Sequence, residues 1–367
     1  MKVKIQQFLF GKNHSWAKCG TSLGRELLKL GHEVHFISTD GVKEEFVDKD
    51  LVPHIRNFPD RNYNLCFSYS APKNYPLYLN GTGGLRCGMF AYEFNYMPKN
   101  FIQQIASKNI DKFLPVSKWQ RDILINVNKI SPEKLCLLPH GVDPKFIDAQ
   151  PMELKTDKKI KILINITQLH IRKNLSGTLA AIGESLNKND DVCLVLKIAD
   201  TKPQYPFELN FSEIYKEFNK KYPNHVECLI IKEYIPNIES LYKACDILFL
   251  LSHAEAFSLK HAEGLISKMV VFSSKYSGPL DFLTDDNSFL IDGKLIRAPR
   301  NSQYWESDPK NFYFDPDIKI AAEKLRYCID NFDEVKKDKL SYITKEVIDS
   351  FGWDKQVPIL EKLYNER

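Results

Sequence analysis

Two carboxylates with seven residues between them, Glu255 and Glu263, lie in the stretch "AEAFSLKHAEG". The paired catalytic carboxylates of a glycosidase lie on either side of the bond that breaks, which residues of one loop and its following helix cannot easily do. A carboxylate can instead accept hydrogen bonds from both hydroxyls of a vicinal diol such as a ribose. We therefore interpret the pair as groups that hold a ligand. The alternative is two solvated surface charges.

The elements around this stretch place both carboxylates near the end of a strand. "DILFLLS" is a short apolar strand pattern, "HAEAF" is the loop after it, and "SLKHAEGLISKM" is a helix pattern with Ser258 as its N-cap. In an open α/β sheet, ligands bind at the carboxyl ends of the strands, where a helix start offers free N–H groups to an anion. Glu255 is predicted in the loop, and Glu263 more than one turn into the helix.

Strand and helix patterns alternate through most of the chain. The first forty residues predict a strand, a helix that ends at Gly31 and a second strand, and the alternation starts again at "KIKILINI" after residue 155. Near-continuous apolar strands separated by helices indicate parallel sheets covered on both faces. We predict two doubly wound α/β domains, residues 1–150 and 151–345, and a helix within 346–367 that returns to the first domain.

The composition limits the classes of function. With 43% hydrophobic and 27% charged residues, the chain has ample core for a globular protein, and no window is apolar for long enough to span a membrane. The eight cysteines are scattered without a C-x-x-C pair, which predicts reduced thiols in the cytoplasm. The net charge of +4 is too small to indicate nucleic-acid binding.

Basic residues are concentrated in the first part of the chain. Residues 1–150 contain 20 Lys and Arg against 14 Asp and Glu, whereas the remaining residues contain 31 against 33. A basic half could face an anionic acceptor or make peripheral contact with a membrane surface. An ordinary lysine-rich surface is the alternative.

The stretch that begins at Glu255 resembles the E-x7-E segment of family 4 glycosyltransferases, which are retaining enzymes of the GT-B fold. "LLPHGVD", "RKN", "SGPLDFL" and "FGWDKQ" resemble further segments of that family in order and position. The resemblance implies two Rossmann-like domains that face each other across a cleft, with a sugar nucleotide on the second and the acceptor on the first. It also implies that Glu263 binds the ribose, that Glu255 contacts the transferred sugar, and that the backbone of Phe257, Ser258 and Leu259 contacts the sugar and phosphates.

Members of that family commonly carry an Arg, four further residues and then a Lys, both facing the diphosphate. Lys173 matches the Lys, whereas Gln168 stands at the Arg position and Arg172 is the neighbour that could compensate. A diphosphate leaving group gains charge as the glycosidic bond breaks, so a cation beside it stabilises the transition state. Without the resemblance, the two basic residues would be interpreted as a solvated helix start.

The chain departs from the family pattern in the loop itself. Ala256 and Ser258 stand where glycine is usual, and Lys260 stands where proline is usual. Residues with a Cβ have less freedom at positive φ than glycine. These changes leave the identity of the sugar more open than the binding of the nucleotide.

Other strand ends supply further candidates. Tyr234 and Ile235 follow the strand "ECLII" where related enzymes pack the base, with core packing as the alternative. In the first domain, His14 is a candidate for contact with the sugar or the acceptor. Glu93 is the acidic candidate in a region where many family members have a His, and a buried structural role is its alternative. We interpret the stretch "DPD" as a helix start with Asp315 as cap, so no metal site is predicted.

The sequence as a whole predicts a cytoplasmic retaining glycosyltransferase. Its donor would be a UDP- or GDP-hexose, and its acceptor a glycan, a lipid-linked sugar or a small molecule, as in polysaccharide biosynthesis. No tightly bound cofactor and no metal requirement are expected. Two alternatives are a GT-B sugar-nucleotide epimerase and a catalytically silent nucleotide-binding subunit, the latter because of Ala256 and Gln168.

Overall fold

The computed structural model divides into two compact units, Met1–Asp143 with Ser350–Arg367 and Pro144–Asp349. The sequence prediction placed the divisions after residues 150 and 345. The structure describes residues 1–7, 15–38, 47–56, 62–79, 84–198, 203, 205, 207–299 and 308–366.

The first unit is built on a five-stranded parallel sheet in the order β2-β1-β3-β4-β5. Its elements up to residue 143 are β1 (Lys2–Gln7), α1 (Ser15–Lys29), β2 (Glu33–Ser38), β3 (Leu65–Tyr69), α2 (Tyr75–Tyr78), β4 (Leu85–Met89), α3 (Lys99–Ala106), β5 (Lys112–Leu114) and α4 (Lys118–Asn126). α1 packs close to this sheet at Gly24, where a Cβ would lie 2.3 Å from the ring of Phe36. α1 is followed by Gly31 at φ 80°, as expected of a glycine that ends a helix.

The second unit is built on a six-stranded parallel sheet in the order β11-β10-β9-β6-β7-β8, with a separate antiparallel pair of β12 and β13. Its elements are α5 (Lys145–Asp148), β6 (Ile160–Ile166), α6 (Leu175–Ser185), β7 (Val192–Ile198), α7 (Phe211–Lys221), β8 (Glu227–Ile231), α8 (Ile238–Ala244), β9 (Ile247–Leu250), α9 (Leu259–Ile266), β10 (Val270–Ser274), β11 (Phe289–Ile291), β12 (Gly293–Arg297), β13 (Phe312–Pro316), α10 (Ile318–Asp330), α11 (Phe332–Ser341) and α12 (Lys345–Ser350). Every residue of β7, β9 and β10 is buried, which explains their continuous apolar runs.

The last helix, α13 (Val357–Asn365), belongs to the first unit. The N–H of Val142 donates to the carbonyl of Phe351 at 2.8 Å. Nε2 of His32 lies 2.7 Å from the carboxylate of Glu361. The chain therefore returns to the first unit after completing the second.

The helix start near residue 315 differs from the prediction. β13 continues through Asp315, which pairs with Lys294 of β12. Asp317 caps α10 instead, because its Oδ1 accepts from the backbone N–H groups of Lys319 at 2.9 Å and Ile320 at 3.2 Å. The assignment of Asp315 as the cap was therefore wrong, since the hairpin partner extends the strand past the point where the local pattern suggested a helix.

The described ranges contain no helix that is both long and apolar enough to cross a membrane. They also contain no group of three or more His, Cys, Asp or Glu that could hold a metal ion. All eight cysteines lie in these ranges and form no disulfide. Burial raises the pKa of Cys193 and of Cys328 to about 12, so these thiols stay protonated and act as small apolar side chains.

Candidate functional site

The carboxyl edge of the second sheet brings together loops that are distant in sequence. β6 and β9 are neighbouring parallel strands, so the loops that follow them leave the sheet at the same edge. The loop after β6 contains a 3-10 turn at Ile171–Lys173, and the loop after β9 contains Glu255. The strand order thus places two basic residues beside a carboxylate more than 80 residues away.

The carboxylate of Glu255 is held by both cations. Nζ of Lys173 donates to Oε1 at 2.6 Å, and Nη1 of Arg172 donates to Oε2 at 3.1 Å. The same Nη1 donates to the carbonyl of Ala254 at 2.7 Å. Glu255 is only 8% exposed. We call Arg172, Lys173 and Glu255 the Glu255 cluster.

The Glu255 cluster is electrostatically biased toward anions. Burial opposes the ionisation of Glu255, but Lys173 and Arg172 outweigh it and hold the pKa of the carboxyl well below its ordinary value. Glu255 is therefore ionised at neutral pH and unsuited to donate a proton. Two cations and one carboxylate leave an excess positive charge. An anion that displaced Glu255 would meet two charged donors.

An asparagine in the left-handed conformation shapes the basic turn. Asn174 has φ 49° and ψ 44°, and its Oδ1 accepts from the N–H of Gly177 at 3.2 Å, which caps α6. Its Nδ2 donates to the carbonyl of Leu251 at 2.9 Å, and the N–H of His253 donates to the carbonyl of Arg172 at 2.8 Å. These bonds tie the basic turn to the loop after β9. Sequence reasoning missed Asn174, although an Asn before an apolar helix pattern was an available capping signal.

The segment after β10 is hydrogen-bonded to the backbone of Glu255 through Ser277 and Gly278, a pair that we call the clasp. The N–H of Glu255 donates to Oγ of Ser277 at 3.0 Å, and the N–H of Gly278 donates to the carbonyl of Glu255 at 3.0 Å. Ser277 has φ 65° and ψ −151°, a region that is almost restricted to glycine. Such strain persists only where surrounding bonds impose it, so this segment fixes where the Glu255 carboxylate can reach.

Gly278 gives a direct test of this clasp. A Cβ at this position would lie 2.1 Å from the carbonyl oxygen of Ala256, so the loop must move to accommodate one. We expect Gly278→Ala to lower the free energy of unfolding by about 1–3 kcal/mol and to weaken nucleoside-diphosphate binding. Urea unfolding and calorimetric titration measure the two effects. Wild-type affinity in this variant would show that the clasp does not position the site.

Ser258 does not cap α9 through its side chain, contrary to the prediction. It adopts φ 71° and ψ 79°, and its Oγ lies 2.6 Å from Nδ1 of His261. Nε2 of His261 lies 3.2 Å from the carbonyl of Leu250, which can only accept, so Nε2 carries the proton and Nδ1 accepts from Ser258. The serine hydroxyl is therefore engaged away from the helix N–H groups. A serine thus occupies a left-handed position where the resembled family has glycine.

The buried His261 should make the fold sensitive to acid. Burial lowers its pKa from 6.5 to about 4, so the folded chain binds fewer protons than the unfolded chain between these values. The free energy of unfolding should therefore fall as the pH decreases from about 6.5 toward 4. His140 of the first unit acts in the same direction, because burial lowers its pKa to about 3.

His261→Gln should flatten this dependence. Urea unfolding of the wild type, of His261→Gln and of the control His54→Gln at about pH 7.5 and about pH 5 measures the slope. His54 is a suitable control because it is only half-buried and lies in the first unit. An unchanged slope in His261→Gln would contradict the assignment of a neutral buried imidazole.

Glu263 is held by a neutral donor. It is half-buried in α9, and its Oε2 accepts from the hydroxyl of Tyr242 at 2.9 Å. Tyr242 lies in α8 and is fully buried. Sequence reasoning missed this tyrosine, although a buried tyrosine hydroxyl requires a partner.

The other predicted residues of the second unit lie around this edge without joining the Glu255 cluster. Phe257 is buried against Phe282, with 5.2 Å between the ring centroids, and Leu259 is half-buried at the start of α9. Tyr234 is 60% exposed and Ile235 is half-buried in the loop after β8. Core packing is therefore the wrong interpretation of Tyr234. β8 lies at one edge of the second sheet and is separated from β6 by β7.

Glu93 and His14 are the residues predicted for a site in the first half of the chain. Glu93 is half-buried in the segment after β4. Burial raises the pKa of Tyr69 well above its ordinary value, and Cys19 and Glu93 add to this effect. His14 lies outside the residues that the structure describes.

Residues 146–309 match the family model described as "Glycosyl transferases group 1". The matched region lies within the second unit and includes all three residues of the Glu255 cluster as well as Glu263. The predicted enzyme class, a glycosyltransferase, is thereby confirmed.

The chain is also similar to other proteins over nearly its whole length. The chain is 21% identical over 350 residues to a protein named glycosyltransferase 45 of Sulfolobus islandicus filamentous virus (isolate Iceland/Hveragerdi). The aligned region covers 92% of this chain and 86% of that protein. The structure of a glycosyltransferase from Rickettsia africae ESF-5 superposes with a TM-score of 0.68 at 17% identity, over 100% of this chain and 98% of that chain. Anabaena HepE in complex with UDP superposes with a TM-score of 0.71 at 12% identity, over 100% of both chains. The structural similarities confirm the predicted fold class, two Rossmann-like parallel-sheet domains as in GT-B glycosyltransferases.

Proposed function

We propose that this glycosyltransferase is a retaining enzyme of family 4 that moves a hexose-type sugar from a nucleoside-diphosphate sugar to an acceptor. The observation that carries the proposal is the Glu255 cluster, in which two cations share one buried carboxylate at the carboxyl edge of a parallel sheet. A diphosphate requires cationic donors, and sugar hydroxyls require acceptors. The cluster contains both kinds of group.

The two cations suit the leaving group of this reaction. When the bond between the anomeric carbon and the phosphate oxygen breaks, the diphosphate keeps the electron pair and its negative charge grows. Lys173 and Arg172 would stabilise that charge in a site largely shielded from water. The acceptor oxygen would attack from the same face and pass its proton to the departing phosphate, so that the configuration is retained.

Glu255 would change partners during the cycle. In the resting chain its single negative charge offsets one of the two positive charges of Lys173 and Arg172. A bound diphosphate would take over these donors and leave the carboxylate to accept hydrogen bonds from hydroxyls of the transferred sugar. The strained Ser277 and the bond from Gly278 would hold the Glu255 backbone in place while its side chain exchanges partners.

A UDP-hexose is the proposed donor, with GDP as the alternative nucleotide. Structures of Anabaena HepE that are described as complexes with UDP and with UDP-glucose support this choice. The exposed ring of Tyr234 and the neighbouring Ile235 would contact the base, and Glu263 the ribose. The backbone of Phe257, Ser258 and Leu259 would face the sugar and phosphates at the start of α9.

The acceptor is proposed to bind the first unit, where His14 and Glu93 are the candidate contacts. A glycan, a lipid-linked sugar or a small molecule would fit this scheme. Peripheral contact of the basic first half with an anionic membrane remains a prediction, as does turnover without added metal.

Thermal unfolding with UDP-, GDP- and ADP-glucose tests the proposal, followed by assays of donor hydrolysis and of the released sugar. Selective stabilisation by one donor together with transfer or hydrolysis supports it. Tight binding without turnover would favour the catalytically silent subunit, and an altered sugar without acceptor would favour the epimerase. Stabilisation by none of these donors would overturn the proposed donor site.

A further inference from the structure

Glu263 is the last member of a chain of hydrogen-bonded side chains from three elements. Nζ of Lys260 donates to Oδ1 of Asn165 at 3.0 Å, and Nδ2 of Asn165 donates to the hydroxyl of Tyr242 at 3.0 Å. That hydroxyl donates to Oε2 of Glu263 at 2.9 Å. We propose that Lys260, Asn165 and Tyr242 form a relay that positions Glu263 for the two ribose hydroxyls and so makes the site selective for ribonucleotides. This inference rests on the proposed function.

Each bond of the relay fixes the direction of the next. An ammonium can only donate, so the Asn165 atom that faces Lys260 must be the amide oxygen. The amide nitrogen is then the donor to Tyr242. Because the tyrosine oxygen accepts that bond, its single hydrogen is directed to Glu263. Burial raises the pKa of Tyr242 well above its ordinary value, with the Glu263 carboxylate adding to the effect, so the phenol keeps this hydrogen.

The relay is anchored at its first residue. Lys260 also donates to the backbone carbonyl of Asn165 at 2.7 Å and to the hydroxyl of Thr167 at 3.4 Å. Asn165 is the penultimate residue of β6, so the ammonium joins the end of that strand to α9. The resembled family has proline at the position of Lys260, so this anchor is a feature of the present chain.

The middle of the relay is buried and packed. Asn165 is 3% exposed and Tyr242 is 0% exposed. The ring of Tyr242 meets the ring of Phe146 edge to face, with centroids 5.1 Å apart. α9 lies close to β9 at Gly264, where a Cβ would lie 2.6 Å from Cδ2 of Leu248. Both the Tyr242 hydroxyl and the backbone of Glu263 are therefore held in place. Loss of one hydrogen bond of the relay would leave a buried polar group without a partner.

This arrangement suits a bidentate contact with a diol. A carboxylate offers about four acceptor positions, and Tyr242 uses one of them on Oε2. The remaining positions are held in one orientation before any ligand arrives, so less freedom is lost when the ribose binds. A nucleotide without ribose hydroxyls would gain nothing from the relay.

Calorimetric titration with UDP and GDP, each beside its 2′,3′-dideoxy form, tests the inference. For the nucleotide that binds, Tyr242→Phe should raise the dissociation constant about five- to tenfold, while the constant for the dideoxy form should change less than about twofold. Glu263→Gln should show the same selectivity with a larger loss. The double variant should bind no more weakly than Glu263→Gln alone, because both changes remove the same contact.

Tyr222→Phe is the matched control. It removes another tyrosine–glutamate hydrogen bond of the second unit, from Tyr222 to Glu184 at 3.1 Å, at the opposite end of α6 from the basic turn. Its affinities should equal those of the wild type. If Tyr242→Phe folds poorly, Lys260→Met provides a second variant at the anchor. We expect it to lose less affinity than Tyr242→Phe, and again only for the ribonucleotide.

The outcomes separate the relay from the proposed function. If the wild type binds and Glu263→Gln loses only the ribonucleotide, the ribose assignment holds. An unchanged affinity in both Tyr242→Phe and Lys260→Met, or an equal loss for ribo and dideoxy forms, then overturns the relay alone. If the wild type binds neither nucleotide, or Glu263→Gln shows no ribose dependence, the ribose site and the relay fail together.

Discussion

Replacing Lys173 with alanine is expected to lower turnover by about 100- to 1,000-fold, the usual cost of losing one donor that meets charge developing in the transition state. Lys173 makes the shortest contact in the Glu255 cluster, at 2.6 Å, and lies in a largely buried setting where a charge interaction is strong. The donor's KM should change much less, because the charge on the diphosphate is greatest as the glycosidic bond breaks.

Steady-state kinetics with the donor selected by the stabilisation screen measures this effect. Lys221→Ala is the matched control, since Lys221 is an exposed lysine of the same unit that lies 3.8 Å from Glu184. It should leave both kinetic constants at wild-type values. A Lys173→Ala enzyme with normal turnover and a raised KM would show that Lys173 only tethers the donor.

Glu255→Gln is expected to separate binding from turnover. In the proposed exchange of partners, the carboxylate competes with the diphosphate for Arg172 and Lys173, so its neutral replacement should tighten nucleoside-diphosphate binding about tenfold. Turnover should nevertheless fall, by about 100-fold, because a glutamine cannot offer the transferred sugar two charged oxygens. Binding and catalysis would then move in opposite directions.

The same variant should change thermal stability in a ligand-dependent way. The variant removes the ion pairs that the largely buried Arg172 and Lys173 make with Glu255, which destabilises the free protein. Added UDP should raise the melting temperature of Glu255→Gln by more than that of the wild type. Glu184→Gln, which alters an ion pair with the exposed Lys221, is the control. Weaker nucleotide binding in Glu255→Gln would contradict the exchange of partners.

Local patterns determined the elements of this protein. The strands β6, β7, β9 and β10 are apolar along most of their length, whereas a strand with one solvated face alternates apolar and polar residues. This pattern predicted parallel sheets covered on both faces. The positions of Glu255 after a strand and of Glu263 within a helix followed from the same reasoning. These features could be predicted because hydrophobic periodicity is a pattern of neighbouring residues in the sequence.

Local patterns failed where the predicted capping residue had another hydrogen-bond partner. Asp315 had the pattern of a helix cap, but pairing with Lys294 kept it in a strand. Ser258 also had the pattern of a cap, but its hydroxyl is taken by His261 in a left-handed turn. In the first case a distant strand, and in the second a histidine only three residues further on, replaces the hydrogen bond that the sequence suggested.

The sequence by itself predicted a candidate donor site: an acidic pair around a strand end, and adjacent basic residues after another strand. Only the tertiary structure decided that Lys173 and Arg172 donate hydrogen bonds to Glu255, and that Tyr242 donates one to Glu263. The physical reason is strand order. β6 and β9 are neighbours in the sheet although more than 80 residues separate their loops, and no local pattern encodes which strands of a parallel sheet lie side by side.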